Sequence, residues 1–318
     1  MTDNRIHRRG LLRTAAAATG LAAAGAAGLA NPADAAPRRW KAGAATFCWF
    51  GTAGWRIDIG TRTVLVDPYL SRYRTGLFDG AMDPATPLTV DTATVDAHTG
   101  RPETVLVTHS HWDHFNDVPH IATTGARVLG TMTTYQLGLA SGIPAAQLGP
   151  LKGGEVLDFG DYTVEAVASL HSRNAGYSVG IPGVRVSQPP RPATVADLPE
   201  GDTLAFLMTV RDGPSVFFMG ASDFVARNVD GMRPDIAMVA MASSTATHEY
   251  VPRLLEALGR PAVVVPVHWD NFETPLTNPP AVAPADRERL SAMITEIRRV
   301  APRTRIVVPD YLTRYTFA

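Results

Sequence analysis

Cysteine is almost absent from this chain of 318 residues: Cys48 stands alone, so neither an intramolecular disulfide framework nor a cysteine-rich zinc cluster can form. Any bound metal must draw on histidine and carboxylate ligands. Lysine is nearly as scarce, with only Lys41 and Lys152, and Lys+Arg 29 against Asp+Glu 30 leave a net charge of −1. No global basic field exists to gather nucleic acid or anionic lipid, so partner choice falls to a local site. Charged residues make up 19% and hydrophobic ones 45%, a balance that argues against long disorder, collagen-like repeats and coiled coil. No convincing internal repeat occurs, and no low-complexity tract follows the first 36 residues.

Those first residues have a different character. Positions 5–36 hold a basic start, an Ala/Leu/Gly stretch and a small-residue processing site near Ala33-Asp34-Ala35. The pair Arg8-Arg9 followed by Gly10-Leu11-Leu12 resembles a twin-arginine export signal. The competing reading is a membrane anchor. The apolar segment is weak, broken by glycines and followed by no basic stop-transfer run, so no stable membrane insertion is expected after cleavage. Residues 1–36 are therefore read as an export signal and residues 37–318 as one exported domain. Loss of residues 1–35 removes four arginines and two aspartates and leaves a mature charge of −3.

From Ala45 onward short apolar runs punctuated by Gly, Pro and Asp predict strands: 46–50, 55–59, 64–66, 104–107, 127–129, 163–168, 204–210, 215–219, 236–241, 262–267 and 305–308. Helical spacing appears at 133–139, 248–258 and 284–300, the last with Leu290, Met293, Ile294 and Ile297 on one stripe. Runs such as Val263-Val264-Val265 are apolar on both faces, which suits a sheet covered on both sides. The expected architecture is an α/β four-layer αββα sandwich, with the Pro-rich stretches 186–199 and 275–284 as surface loops.

Directly after the run Thr104–Val107 comes Thr108-His109-Ser110-His111-Trp112-Asp113-His114. In extended chain His109, His111 and Asp113 project to one side, and a turn at Trp112-Asp113 would bring His114 to the same centre. A single histidine is usually a hydrogen-bonded core or surface residue. Three histidines and an aspartate packed this closely would cost desolvation and mutual repulsion unless a cation compensates them.

This run resembles the H-x-H-x-D-H signature of the metallo-β-lactamase superfamily. Val64-Leu65-Val66-Asp67 is similar to that family's strand ending in a buried Asp, and His171, Asp223 and His268 each follow an apolar run in family order. The chain looks closest to the lactonase-like and phosphodiesterase-like hydrolases, the group that includes ascorbate-6-phosphate lactonase. The resemblance implies that His109, His111 and His171 hold one zinc, that Asp113, His114 and His268 hold a second, and that Asp223 bridges them. Asp113 and His114 count as catalytic as well as ligating. Hydroxide lying between the ions would cleave an ester, lactone or phosphodiester of a small molecule. In many relatives the bridging Asp directly follows the glycine, whereas Ala221 and Ser222 separate Gly220 from Asp223 here. Either the loop rearranges to bring Asp223 inward, or the bridge is missing and the site holds one ion or holds its second weakly, with Asp223 a turn or capping residue.

The remaining candidates carry milder expectations. Asp67 reads as a buried residue orienting the metal-binding loop, and Tyr69, Tyr73, Leu77 and Phe78 as a flap offering an apolar face. Trp112, Trp269 and Asn271 adjoin ligands and could line the pocket, or simply pack. Arg173, just after His171, is the best candidate for an anion contact, though ordinary surface charge is the favoured reading. His7 falls in the signal, His98 in a polar loop and His120 on a short helix. His248 precedes a helix that Thr247 could cap, and could reach the pocket mouth. Two other functions fit the same pattern: a mononuclear-iron sulfur oxygenase on the same fold, and a secreted metal-binding protein without turnover; for the hydrolase, two zinc ions are expected, with one ion, iron or manganese as the alternatives. A nucleic-acid enzyme is disfavoured by the mature charge.

Overall fold

The computed structural model describes residues 43–317. The export signal over 1–36 and His7 lie outside the described residues. The first half of the chain runs β1 (Thr46–Gly51), β2 (Gly54–Ile59), β3 (Arg62–Val66), α1 (Thr92–Thr99), β4 (Thr104–Leu106), α2 (Trp112–Phe115), α3 (Val118–Ala122), β5 (Arg127–Gly130), α4 (Met132–Ala140) and β6 (Leu148–Pro150). The second runs β7 (Val156–Asp158), β8 (Tyr162–Ala168), β9 (Leu204–Val210), β10 (Ser215–Met219), α5 (Ala226–Val229), β11 (Ile236–Ala240), α6 (Tyr250–Ala257), β12 (Val263–Val267), α7 (Pro284–Val300), β13 (Arg305–Ile306) and β14 (Arg314–Tyr315).

Two seven-stranded sheets result, ordered β14-β1-β2-β3-β4-β5-β6 and β13-β12-β11-β10-β9-β8-β7. Each is mixed: β1–β3 and β7–β10 pair antiparallel, while β3–β6 and β10–β13 pair parallel. The period of two in the sequence explains the layering. In β1, Phe47 and Trp49 join the cluster between the sheets, whereas Cys48 and Phe50 join a second cluster with Val95, Phe115, Ile121 and Leu137 from the helical segments outside. In β3, Val64 and Val66 face one way and Leu65 the other. On the far side α6 and α7 bury Leu254, Leu258, Met293 and Ile297 in the cluster that also holds β11 and β12. The expected four-layer sandwich is thus the observed fold. Among the described residues no helix is long and apolar enough to cross a membrane.

The differences from expectation lie in short elements. Strands β6, β7 and β14 hold only three, three and two residues and show no apolar alternation. His98 sits on α1 rather than in a loop. Helix α6 starts at Tyr250 after Glu249 in a left-handed conformation (φ 43), and the Thr247 hydroxyl donates to the Ser222 carbonyl instead of capping. His248 is exposed and off the cavity wall.

The loops that matter follow β3, β4, β8, β10, β11 and β12. They gather where these strands deliver their carboxyl ends, the usual place for a ligand crevice in such sheets.

Candidate metal centre

Six of the seven expected ligands converge in two groups. The donor atoms of His109, His111 and His171 lie within 4.8 Å of one another, as do those of Asp113, His114 and His268. In the first group every pair of imidazole centroids is 4.7 or 4.8 Å apart. The groups adjoin through His109 and His114, whose rings are 3.9 Å apart. Contrary to the expected turn in extended chain, the change of direction is a helix start: His111 is the N-cap of α2, so Asp113 and His114 leave its first turn.

Hydrogen bonds fix which nitrogen each histidine offers. His114 donates through Nδ1 to Asp67 Oδ2 at 2.9 Å, His171 through Nδ1 to the Ser172 carbonyl at 2.7 Å, and His111 through Nε2 to the Ile181 carbonyl at 3.3 Å. His109 Nε2 and His114 Nε2 are buried with no hydrogen-bond partner, and His268 turns Nε2 to within 3.1 Å of Asp113 Oδ2. Buried polar atoms without partners are costly, and ligation by a cation is the compensation that suits imidazole and carboxylate donors. The residues present therefore fit a metal.

Asp67, fully buried, also accepts from the Thr108 amide (2.7 Å) and hydroxyl (2.6 Å), locking the loop that carries the motif. Its own backbone is left-handed (φ 43), as is that of His268 (φ 60). Such strain persists only where surroundings over-determine it. For His268 they do: its amide donates to the Thr52 carbonyl at 2.8 Å, and two residues on Asp270 accepts from the Thr52 amide, Arg72 and Tyr311. Gly220 is required by close approach, since a Cβ there would sit 1.9 Å from Thr108 Oγ1 and 2.7 Å from Asp67 Oδ2.

Burial and neighbours set the charges. Burial drives the His111 pKa down to about 4 and the His171 pKa to about 3. Burial lowers His109 too, and the adjoining imidazoles add to it. Burial acts against His114 as well, but the carboxylates of Asp113 and Asp67 overcome it and hold that pKa up at about 10. Asp113 is the mirror case: burial would raise it, yet His114 and His268 keep it well below the ordinary range.

The groups open onto a cavity of about 520 Å³. One wall is apolar: Phe78 meets Phe272 edge-on at 4.9 Å, and Phe272 lies 5.3 Å from the His268 ring. Leu77, Met82, Trp112 and Ile181 extend it. The Glu273 carboxylate accepts from the Thr75 amide and hydroxyl and the Leu77 amide, so this wall is pinned to the segment bearing His268.

Not every expectation is met. Asp223 lies outside both groups; its Oδ1 accepts from the Phe224 amide at 2.8 Å. Leu77 and Phe78 line the cavity, but Tyr69 is wholly buried and Tyr73 donates to Asn116. Trp269 is not on the wall: it stacks on Trp49 at 5.2 Å in the core, and Asn271 serves Arg72 and Glu273. Arg173 reaches only the Tyr177 carbonyl, and the cation on the cavity wall is Arg289. Sequence reasoning missed Arg289 and Asp286. Their only signal was an i,i+3 pair in the first turns of α7, which also describes an ordinary solvated helix face.

The family model of the beta-lactamase superfamily domain matches residues 46–268, a span that contains every member of both ligand groups. A UPF0173 metal-dependent hydrolase of Pyrobaculum islandicum is 28% identical over 229 residues, covering 70% of this chain and 84% of its own length. Among solved structures, Igni18, a metallo hydrolase from Ignicoccus hospitalis, is similar with a TM-score of 0.55 at 17% identity, over 86% of this chain and 98% of that one. CmlA, a diiron beta-hydroxylase from Streptomyces venezuelae, gives the same TM-score of 0.55 at 14% identity, over 86% of this chain and 54% of its own. At such identities these two structures speak for the fold alone.

Proposed function

The chain belongs to the beta-lactamase superfamily, and from that premise we propose that it is a metal-dependent hydrolase of the lactonase- and phosphodiesterase-like branch, acting on a small molecule held in the cavity of about 520 Å³. The observation that carries this reading is the meeting of two three-residue ligand groups, His109–His111–His171 and Asp113–His114–His268, beside one cavity that all of them but the buried His114 line. Each would hold one ion. Nitrogen and carboxylate donors suit zinc first, with iron or manganese as alternatives. When bound, the ions supply an activated water and polarise the substrate oxygen.

The chain's own residues prepare the rest. Asp67 fixes the His114 tautomer so that Nε2 faces the cluster, the Ser172 carbonyl does the same for His171, and the Ile181 carbonyl takes Nε2 of His111 and leaves its Nδ1 for the cluster. Phe78, Phe272 and Trp112 keep water off the reacting bond and accept an apolar part of the substrate. The signal-like residues 1–36 extend the reading to an exported enzyme, for which the mature N-terminus should fall near residue 36.

The test is a screen of zinc-, manganese- and iron-loaded protein, and of chelated protein, against an aryl ester, a lactone and a bis-aryl phosphodiester. Turnover of at least one class, lost on chelation and restored by the ion, is expected. Turnover indifferent to chelation, or none with any ion, overturns the reading.

A further inference from the structure

We propose that substrates of this site carry a negative charge set apart from the bond that breaks, received by Arg289, together with an apolar body received by Leu77, Phe78, Met82 and Phe272; the inference rests on the hydrolase reading above. Arg289 is the one Lys or Arg among the described residues lining the cavity. Its placement is specific: Nη1 donates to Asp286 Oδ1 at 2.7 Å, and Asp286, whose side chain is only 16% exposed, lines the same cavity. Asp286 thus tethers the guanidinium at the wall. Nε and Nη2 make no hydrogen bond among the described residues, so one edge of the fork is open to a planar anion such as a carboxylate, or to a phosphate.

The other carboxylates on the wall do not oppose such a charge. Asp270 is wholly buried and paired with Arg72 at 2.7 Å, and Asp113 belongs to a ligand group. A single i,i+3 ion pair on a helix contributes little to stability, so the pair alone is a weak reason for Arg289 to face this cavity. The apolar wall has its own logic. Leu77 stays 38% exposed at its end, while Phe272 joins Phe78 to the ring of His268. A bond placed over the ligand groups would therefore have an aromatic surface beside it and a cation within the same cavity.

The experiment compares 4-nitrophenyl hemiesters of straight-chain dicarboxylic acids of increasing length with their neutral methyl-capped counterparts, using metal-loaded enzyme. At one chain length kcat/KM should favour the anionic ester by about tenfold, the usual effect of a hydrogen bond to a charged group. Arg289→Gln should remove that preference and leave the neutral ester nearly unchanged, whereas Phe78→Ala should lower both. Replacing the distal carboxylate by a phosphate tells which anion is preferred. Equal rates for charged and neutral esters, or an equal loss of both in Arg289→Gln, overturn the proposal. If no ester is turned over, the hydrolase reading stands or falls by the screen of lactone and phosphodiester above, and calorimetry with the monoamide of octanedioic acid against octanamide still decides the inference. Tighter binding of the anion that disappears in Arg289→Gln supports it; equal binding, or a preference that survives the substitution, sinks it.

Discussion

The two ligand groups share one cavity and a similar degree of burial, yet the first is left uncharged and the second holds an ion pair. Burial lowers all three histidines of the first group, His111 to about 4 and His171 to about 3, so that group is neutral near pH 7 and offers a cation lone pairs but no charge. The second group has the same desolvation working on His114, but Asp113 and Asp67 reverse it and hold the imidazole pKa at about 10. The difference comes from two carboxylates and not from depth. A cation entering the first group displaces no proton, while one entering the second must release the proton of His114 before Nε2 can ligate.

The largest expected effect comes from breaking the first group. His109→Ala or His111→Ala should reduce turnover to background and lower the metal content of the purified protein. Full metal stoichiometry in either variant would show that these imidazoles are not ligands. Next comes Asp67→Asn, which reaches the second group through His114. Loss of an orienting partner of this kind typically costs about 10–100-fold in metal affinity. Competition titration should place that loss on one ion; an equal loss for both would erase the contrast between the groups.

The contrast also has a pH signature in metal-free protein. Histidines with depressed pKa stabilise the fold above their unfolded value of about 6.5, and that contribution is lost as pH falls toward 4. His114, raised to about 10, stabilises below about 6.5, and its contribution is lost as pH rises through its folded pKa. Urea midpoints should therefore peak near pH 6.5. His111→Ala should flatten the acid limb and His114→Gln the alkaline one, and a curve whose limbs ignore these substitutions would contradict the assignment of charge.

Legibility in the sequence followed the range of the interactions. Eleven strands show as apolar runs, and the ligands 109, 111, 113 and 114 show as a local motif, because both are written in neighbouring residues. His171 and His268 needed family order, since nothing nearby says that loops after β8 and β12 meet the loop after β4. Arg289 could not be read at all: its meaning depends on where α7 begins relative to the cavity, and its spacing from Asp286 is shared by every exposed helical ion pair. Trp269 misled because adjacency to a ligand does not set side-chain direction; positive φ at His268 precedes it, and its indole turns into the core to donate to the Pro266 carbonyl at 2.9 Å.

The smallest expected effect is the most informative about the boundary between the groups. A bridging carboxylate from Asp223 would give both groups a shared anion. The chain around it is tied elsewhere: Gly220 has no room to shift toward Thr108 and Asp67, the Ser222 amide donates to Ser172 Oγ at 2.7 Å, and Asp223 pairs through its backbone with Leu170. With Oδ1 engaged by the Phe224 amide, the carboxylate acts as a local turn acceptor. Asp223→Ala should then leave the metal count unchanged and cost about 1 kcal/mol of stability, the ordinary worth of one such hydrogen bond. Metal analysis beside thermal unfolding checks both. Loss of a single ion would mean that the carboxylate swings inward once cations are present, and the neutrality of the first group would then be a property of the metal-free protein only.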